Sequence, residues 1–200
     1  MPPSLAVVYR NVDGGIYRLE AVVVTIGLVL SVAATVVEVI LRTSSNLLET
    51  VLGVRQSSSL GGGGEFAQMT MIWAVLVGAA MGTRAGVHIG VDVLVQRLPA
   101  PLTKTVVLAA IAVGTVFTAW ITVLGFQLVQ FSLETGQVTM ELLFPRWLLY
   151  LSVPVSMALM TFHQAQLFAQ FLQQPAAQVK RAAQAEVAAM AEAEQEAASR

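Results

Sequence analysis

Residues 21–41 read AVVVTIGLVLSVAATVVEVIL, a long apolar run whose only charged residue is Glu38. The hydrocarbon core of a bilayer is about 30 Å thick, and a helix needs roughly 20 apolar residues to cross it. Residues 21–41 therefore predict a transmembrane helix. The run is longer than the apolar core of a signal sequence, which has roughly 7–15 residues, and this length indicates an anchor that is retained.

Three further apolar segments have the length of a membrane span, at residues 66–83, 106–131 and 147–171. Across all 200 residues, 56% are hydrophobic and 12% are charged, about half the charged fraction of an ordinary soluble domain. Four such segments leave too little polar sequence to surround them in a water-soluble fold. We therefore expect an all-α membrane protein with four transmembrane helices, formed by residues 21–172.

The distribution of Lys and Arg predicts the orientation of the four spans. Four spans place both termini and the middle loop on one side, which holds eight basic residues: Arg10, Arg18, Arg84, Arg97, Lys104, Lys180, Arg181 and Arg200. The other side holds three, which are Arg42, Arg55 and Arg146. Because basic residues are enriched on the cytoplasmic side, residues 1–20 and the Ala- and Glu-rich tail, 173–200, are predicted to be cytoplasmic.

The loops between the spans differ in predicted structure. The first outer loop, residues 43–65, contains the glycine run Gly61–Gly64, which we interpret as a flexible linker that holds no helix. Residues 84–98 have polar residues every four positions and apolar residues on the opposite face. This pattern predicts an amphipathic helix in the membrane interface. Pro154, inside the fourth span, is expected to kink that helix.

Several polar pairs and small residues are candidates for a functional role. Glu38 and Arg42 stand four apart and could form an ion pair, or Arg42 could belong to a docking surface for a partner. His88 and Asp92 are also four apart, but Arg84 shares their face and would repel a cation, so no metal site is expected. Glycines recur every four residues from Gly78, at a spacing that lets membrane helices pack closely. The spacing does not say whether the packing partner is in this chain.

Other classes of function are disfavoured by composition and pattern. A formal net charge of -1 offers no basic excess for nucleic acid, whose phosphates must be neutralised. There is no cysteine and therefore no thiolate metal site or cysteine nucleophile. The sequence shows no combination of a nucleophile, a general base and a residue that orients the base. No cluster of acidic residues lies at the depth of the membrane midplane. We expect a non-enzymatic protein without a cofactor and without a translocation path of its own.

One region resembles a known family. It begins with Gly64-Glu65-Phe66-Ala67-Gln68 and continues through Trp73 and Gly78-Ala79-Ala80. It then contains the motif Arg84-Ala85-Gly86-Val87-His88-Ile89-Gly90-Val91-Asp92, followed by Leu98-Pro99. These residues, with Pro145-Arg146-Trp147 and Pro154, resemble the DctQ-type small integral membrane subunit of tripartite ATP-independent periplasmic (TRAP) transporters. The resemblance covers roughly residues 18–172, and the motif from Arg84 to Asp92 is its most specific part.

The resemblance implies a function. A small four-span subunit of this kind stabilises a large permease subunit and helps dock a periplasmic substrate-binding protein, in a sodium-driven importer of organic acids in the bacterial inner membrane. The candidates for subunit contact or docking are Arg42, Glu65, Trp73, Gly78, Gly82, Arg84, His88 and Asp92. The expected partners are the large permease, the binding protein and membrane lipid. The alternative is a self-sufficient four-helix carrier or channel.

Overall fold

The structure is a computed structural model that describes residues 3–52, 61–84, 99–178 and the single residue 195. In these ranges the chain forms five helices and no strand. They are α1 (Pro3–Leu52), α2 (Gly63–Arg84), α3 (Ala100–Glu134), α4 (Trp147–Tyr150) and α5 (Ser152–Gln173). Four stretches are long and apolar enough to cross a membrane: Gly14–Leu47, Gly63–Thr83, Pro101–Glu134 and Trp147–Gln173. The prediction of an all-α protein with four transmembrane helices is confirmed.

The first helix is longer than the apolar run predicted. α1 has 50 residues, and its last part, residues 43–52, lies where we expected an irregular outer loop. The polar residues there form hydrogen bonds back to carbonyls of the preceding turn, from Ser45 Oγ to Leu41 O at 2.7 Å and from Thr50 Oγ1 to Asn46 O at 2.8 Å. Hydrophobicity alone missed this extension because a helix outside the bilayer does not need apolar side chains.

The fourth span is interrupted near its beginning. Helices α4 and α5 are separated by Leu151, three residues before the buried Pro154. A proline has no backbone N–H to donate within a helix, and its ring crowds the carbonyl four residues earlier, here that of Tyr150. The interruption therefore falls within the turn that Pro154 disturbs, and the kink of the fourth span stays a prediction.

The described residues divide into two compact units, and helices α2, α3 and α5 contribute to both. The first combines Met1–Met81 with Val123–Ser156, and the second combines Gly82–Thr122 with Met157–Arg200.

In the first unit, α1 packs against α2 through small residues. A Cβ added to Gly27 would lie 3.0 Å from Cβ of Ala74 and 3.2 Å from the carbonyl oxygen of Thr70, so the two backbones approach closely. One helical turn away, Ser31 Oγ donates a 2.9 Å hydrogen bond to the carbonyl oxygen of Ala67. Without a hydrophobic drive between helices in lipid, such close contacts and hydrogen bonds are what hold them together.

In the second unit, α3 and α5 meet through polar side chains. Thr161 Oγ1 donates a 2.9 Å hydrogen bond to Thr118 Oγ1. The amide of the buried Gln164 lies over Gly114, where an added Cβ would be 3.1 Å from Oε1. At one end of this pair, Lys104 Nζ donates to the carbonyls of Leu172 and Gln174 at 3.0 and 2.7 Å. These carbonyls lie at the C-terminal end of α5, where carbonyls lack helical donors and a cation is favourable.

Candidate functional site

The segment between the third and fourth spans forms a short hairpin, residues 137–146. Its two arms are joined by an antiparallel bridge between Val138 and Pro145. Backbone hydrogen bonds run from Thr139 N to Phe144 O at 2.8 Å and from Arg146 N to Gln137 O at 2.9 Å. The hairpin was not predicted, because the sequence of this loop carries no alternating apolar pattern that would indicate it.

Glu65, in the first turn of α2, holds the tip of this hairpin. Its Oε1 accepts the backbone N–H of Met140 at 3.0 Å, and its Oε2 accepts those of Glu141 and Leu142 at 3.1 and 3.0 Å. Hydrogen bonds to an ionised acceptor are stronger than those between neutral groups. One side chain therefore anchors three consecutive residues of the hairpin.

A second carboxylate forms a contact in the opposite direction. Glu141, on the hairpin, accepts the backbone N–H of Gly62 through Oε2 at 3.1 Å, immediately before α2 begins. Gly62 has a φ of 95°, and an added Cβ would collide with the side chain of Leu142, so both its conformation and its surroundings require glycine. Glu65 and Glu141 thus form a reciprocal clamp between the start of α2 and the hairpin.

The glycine run Gly61–Gly64 is partly helical, contrary to the interpretation from the sequence. Gly63 and Gly64 lie in α2, so the expectation that this run holds no helix is wrong for its second half. The first N–H groups of a helix have no helical partners, and here Glu141 accepts the N–H that precedes them. Gly62 O in turn accepts the N–H of Phe66 at 2.9 Å, which closes the first helical turn. The sequence alone did not reveal this because Glu141 lies 79 positions away.

Trp73 connects α2 to the interrupted fourth span. Its indole Nε1 donates a 3.2 Å hydrogen bond to the carbonyl oxygen of Leu148, in α4. Carbonyls at the end of a helix need donors from outside that helix. Trp73, which the sequence suggested only as a contact candidate, therefore stabilises the beginning of the fourth span.

The remaining candidate residues have different surroundings. Gly78 faces α1, with methyl carbons of Val24 at 3.7 and 3.8 Å from its would-be Cβ, whereas no atom of the described residues lies within 4 Å of that position at Gly82. Arg42 is exposed on α1, and among the described contacts it forms no ion pair with Glu38. Arg84 ends α2. His88, Asp92 and the predicted interfacial helix lie outside the described residues.

Acidic and histidine side chains do not gather in groups of three or more in the described part of the chain. It contains no group of three or more His, Cys, Asp or Glu side chains that could hold a metal ion. Two of its buried polar side chains, Ser31 and Thr118, connect helices through hydrogen bonds. Helices with these contacts and four apolar spans define an integral, multi-pass α-helical membrane protein.

Comparison with known families specifies that class further. Residues 31–174 match the model of the family described as tripartite ATP-independent periplasmic transporters, DctQ component. The chain therefore belongs to the DctQ family, and it is a TRAP transporter subunit and a multi-pass inner-membrane protein. The resemblance found in the sequence is confirmed.

Two relatives carry the name C4-dicarboxylate TRAP transporter small permease protein DctQ. The protein of Rhodobacter capsulatus is 36% identical over 98 residues, which cover 49% of this chain and 43% of the relative. The protein of Vibrio cholerae serotype O1 is 32% identical over 117 residues, which cover 48% of this chain and 50% of the relative. The chain thus spans about half the length of the curated relatives it matches.

Proposed function

We propose that this chain is the small scaffold subunit of a sodium-driven, binding-protein-dependent TRAP transporter that imports organic acids. In this role it stabilises the large permease subunit and helps dock the periplasmic binding protein, and it performs no catalysis. Membership of the DctQ family supports the subunit role. The names of the two relatives, which specify C4-dicarboxylate, support an organic acid as the transported substrate.

The observation that carries the scaffold role is the exposure of α1. In its most apolar stretch of 18 residues, only 6% of the residues are buried, although Gly27 and Ser31 pack tightly against α2. Among the described residues, one narrow face of α1 therefore packs against the rest of the chain. The rest is available to a large membrane partner and to lipid, as expected of a subunit that braces another protein.

The outer ends of the spans supply the proposed docking surface. α1 continues for ten residues beyond Arg42 to Leu52, roughly 15 Å at 1.5 Å per residue. Arg42 is exposed at the start of this extension and is proposed to contact the binding protein directly. Glu65, whose oxygens are already occupied by the hairpin, would act indirectly by holding the hairpin in place.

The other candidates are proposed to contact the large permease. Gly82 has free space beside it among the described residues, as close approach of a second helix would require. Arg84, His88 and Asp92 belong to the same proposed contact region, on the basis of the family motif. Trp73 and Gly78 would support it from within by fixing α2 against α4 and α1.

The experiment measures uptake into proteoliposomes that contain the large permease. The binding protein and labelled C4-dicarboxylate are added outside, and the sodium concentration is higher outside than inside. Uptake is expected only when this chain is present. Arg42→Glu should lower uptake about tenfold, because a tenfold change corresponds to the loss of a charged interface contact of about 1.4 kcal/mol. The membrane complex of this variant should still purify intact. Arg18→Glu, at the other end of α1 and equally exposed, is the matched control and should have no effect.

Three results would each contradict a part of the proposal. Undiminished uptake by the large permease without this chain would exclude an essential scaffold role. Sodium-dependent uptake by this chain alone would favour the self-sufficient carrier. Loss of the membrane complex in the Arg42→Glu variant would assign Arg42 to subunit assembly instead of docking.

A further inference from the structure

A small cavity lies between the hairpin, α2 and α4. Its volume is about 220 Å³, and its wall includes Arg146, Gln68 and Tyr150 together with Met69 and Leu149. This is below the roughly 300–1,000 Å³ of pockets for drug-sized molecules. The cavity therefore suits a ligand, or part of a ligand, with only a few heavy atoms.

Three polar groups of the cavity wall are available to a ligand. Among the described contacts, Arg146, Gln68 and Tyr150 form no side-chain hydrogen bond or ion pair with the chain, although Arg146 and Tyr150 are half-buried. A guanidinium close to a membrane is costly unless it is paired, and it binds carboxylate or phosphate oxygens in a bidentate manner. The wall thus offers donors for an oxyanion.

A purely anionic ligand would nevertheless meet Glu65, which lines the same cavity. The carboxylate oxygens of Glu65 already accept hydrogen bonds from Met140, Glu141 and Leu142, but its unit negative charge remains. One cationic and one anionic side chain give the cavity wall no net charge. The complementary ligand carries both signs, with its anionic group at Arg146 and its cationic group towards Glu65.

The position of the cavity relative to the bilayer identifies the source of such a ligand. The second and fourth spans run in the same direction, so their first residues lie at the same face of the membrane, and the cavity lies where both begin. Tyr150 and the adjacent Trp147 are residue types enriched at the level of lipid headgroups. Exposed apolar side chains of the neighbouring hairpin, such as Leu143 and Phe144, suit contact with acyl chains.

We infer that this cavity binds the headgroup of a zwitterionic phospholipid, with the phosphate on Arg146 and the ammonium group towards Glu65. The lipid would join α2, the hairpin and the start of the fourth span at the membrane surface. This inference concerns residues of this chain alone and does not depend on the docking of other subunits.

The test is lipid binding by the purified, delipidated full chain, followed by native mass spectrometry in mild detergent. Phosphatidylethanolamine is the probe, phosphatidylglycerol is the anionic comparison, and glycerophosphoethanolamine and inorganic phosphate are the soluble competitors. Wild-type protein should bind phosphatidylethanolamine more tightly than phosphatidylglycerol. Arg146→Gln should weaken this binding about tenfold, equivalent to loss of one charge-assisted hydrogen bond.

The control is Arg42→Gln, which removes an exposed arginine on α1 that does not line the cavity and should leave binding unchanged. If Arg146→Gln is not monodisperse and helical, the double variant Gln68→Ala/Tyr150→Phe replaces it, and weaker binding of phosphatidylethanolamine is again expected. Equal binding by wild-type and cavity variants, or a preference for phosphatidylglycerol, would overturn the inference. Binding of inorganic phosphate without binding of the lipid would identify a free-anion site and would also overturn it.

Discussion

Glu65 accepts three backbone N–H groups of the hairpin with its two carboxylate oxygens. Glu65→Gln keeps one acceptor oxygen but replaces the other by an NH₂ group, which cannot accept a hydrogen bond. We expect the local stability of the hairpin to fall, because hydrogen bonds to a charged acceptor are stronger than those to a neutral one. Hydrogen–deuterium exchange should show faster exchange at the amides of Met140, Glu141 and Leu142.

The matched control for this variant is Glu134→Gln. Glu134 is an exposed glutamate at the end of α3, at the same face of the membrane, and it receives none of these hydrogen bonds. Its replacement should leave exchange at the hairpin unchanged. Equal protection of the hairpin in wild-type protein and in Glu65→Gln would mean that the carboxylate does not hold the tip.

At this scale the sequence identified the residue but not its contact. An acid that opens the second span was recognised from the family pattern, and Glu65 was therefore predicted as an outer-surface candidate. Its hydrogen-bond partners lie 75–77 positions further along the chain. A local pattern does not contain such a long-range contact, because the contact depends on how the hairpin folds.

The crossing of α1 and α2 gives the prediction at the scale of an element. Gly27→Ala places a methyl group 3.0 Å from Cβ of Ala74 and 3.2 Å from the carbonyl oxygen of Thr70. The backbone atoms cannot give way as a flexible side chain could, so the helices must separate. We expect a loss of about 1–3 kcal/mol, the usual cost of overpacking, measured as a lower midpoint of unfolding in mixed micelles.

Gly15→Ala is the control on the same helix. No atom of the described residues lies within 4 Å of its would-be Cβ, so only helix propensity should matter, and alanine is favoured over glycine by up to about 1 kcal/mol. The unfolding midpoint should stay the same or rise. A similar decrease for both variants would show that the close approach at Gly27 is not what stabilises the crossing.

The elements were predictable to different degrees. The four spans follow from apolar runs that the bilayer requires, so their existence was clear from the sequence. The extension of α1 to Leu52 was missed because a helix outside the bilayer does not need the apolar run from which the spans were predicted. The packing role of Gly78 was predicted, but its partner on α1, Val24, could be found only from the structure.

The topology of the whole molecule can be tested because the chain contains no cysteine. Four spans place the end of α1 and the hairpin on one side of the membrane and the end of the fourth span on the other. The excess of Lys and Arg predicts that the latter side is cytoplasmic. Single-cysteine variants at Ser44, Met140 and Gln178, which are all exposed, therefore report the orientation directly.

A membrane-impermeant maleimide added to intact spheroplasts should label the Ser44→Cys and Met140→Cys variants, and the Gln178→Cys variant only after permeabilisation. Ile111→Cys, buried within the third span, is the control and should resist labelling in both conditions, because maleimide needs an accessible thiolate. If only the Gln178→Cys variant were labelled in intact spheroplasts, the protein would have the opposite orientation to the predicted one. Labelling of only one of the other two would contradict four spans, since an even number of crossings between residues 44 and 140 requires both on one side.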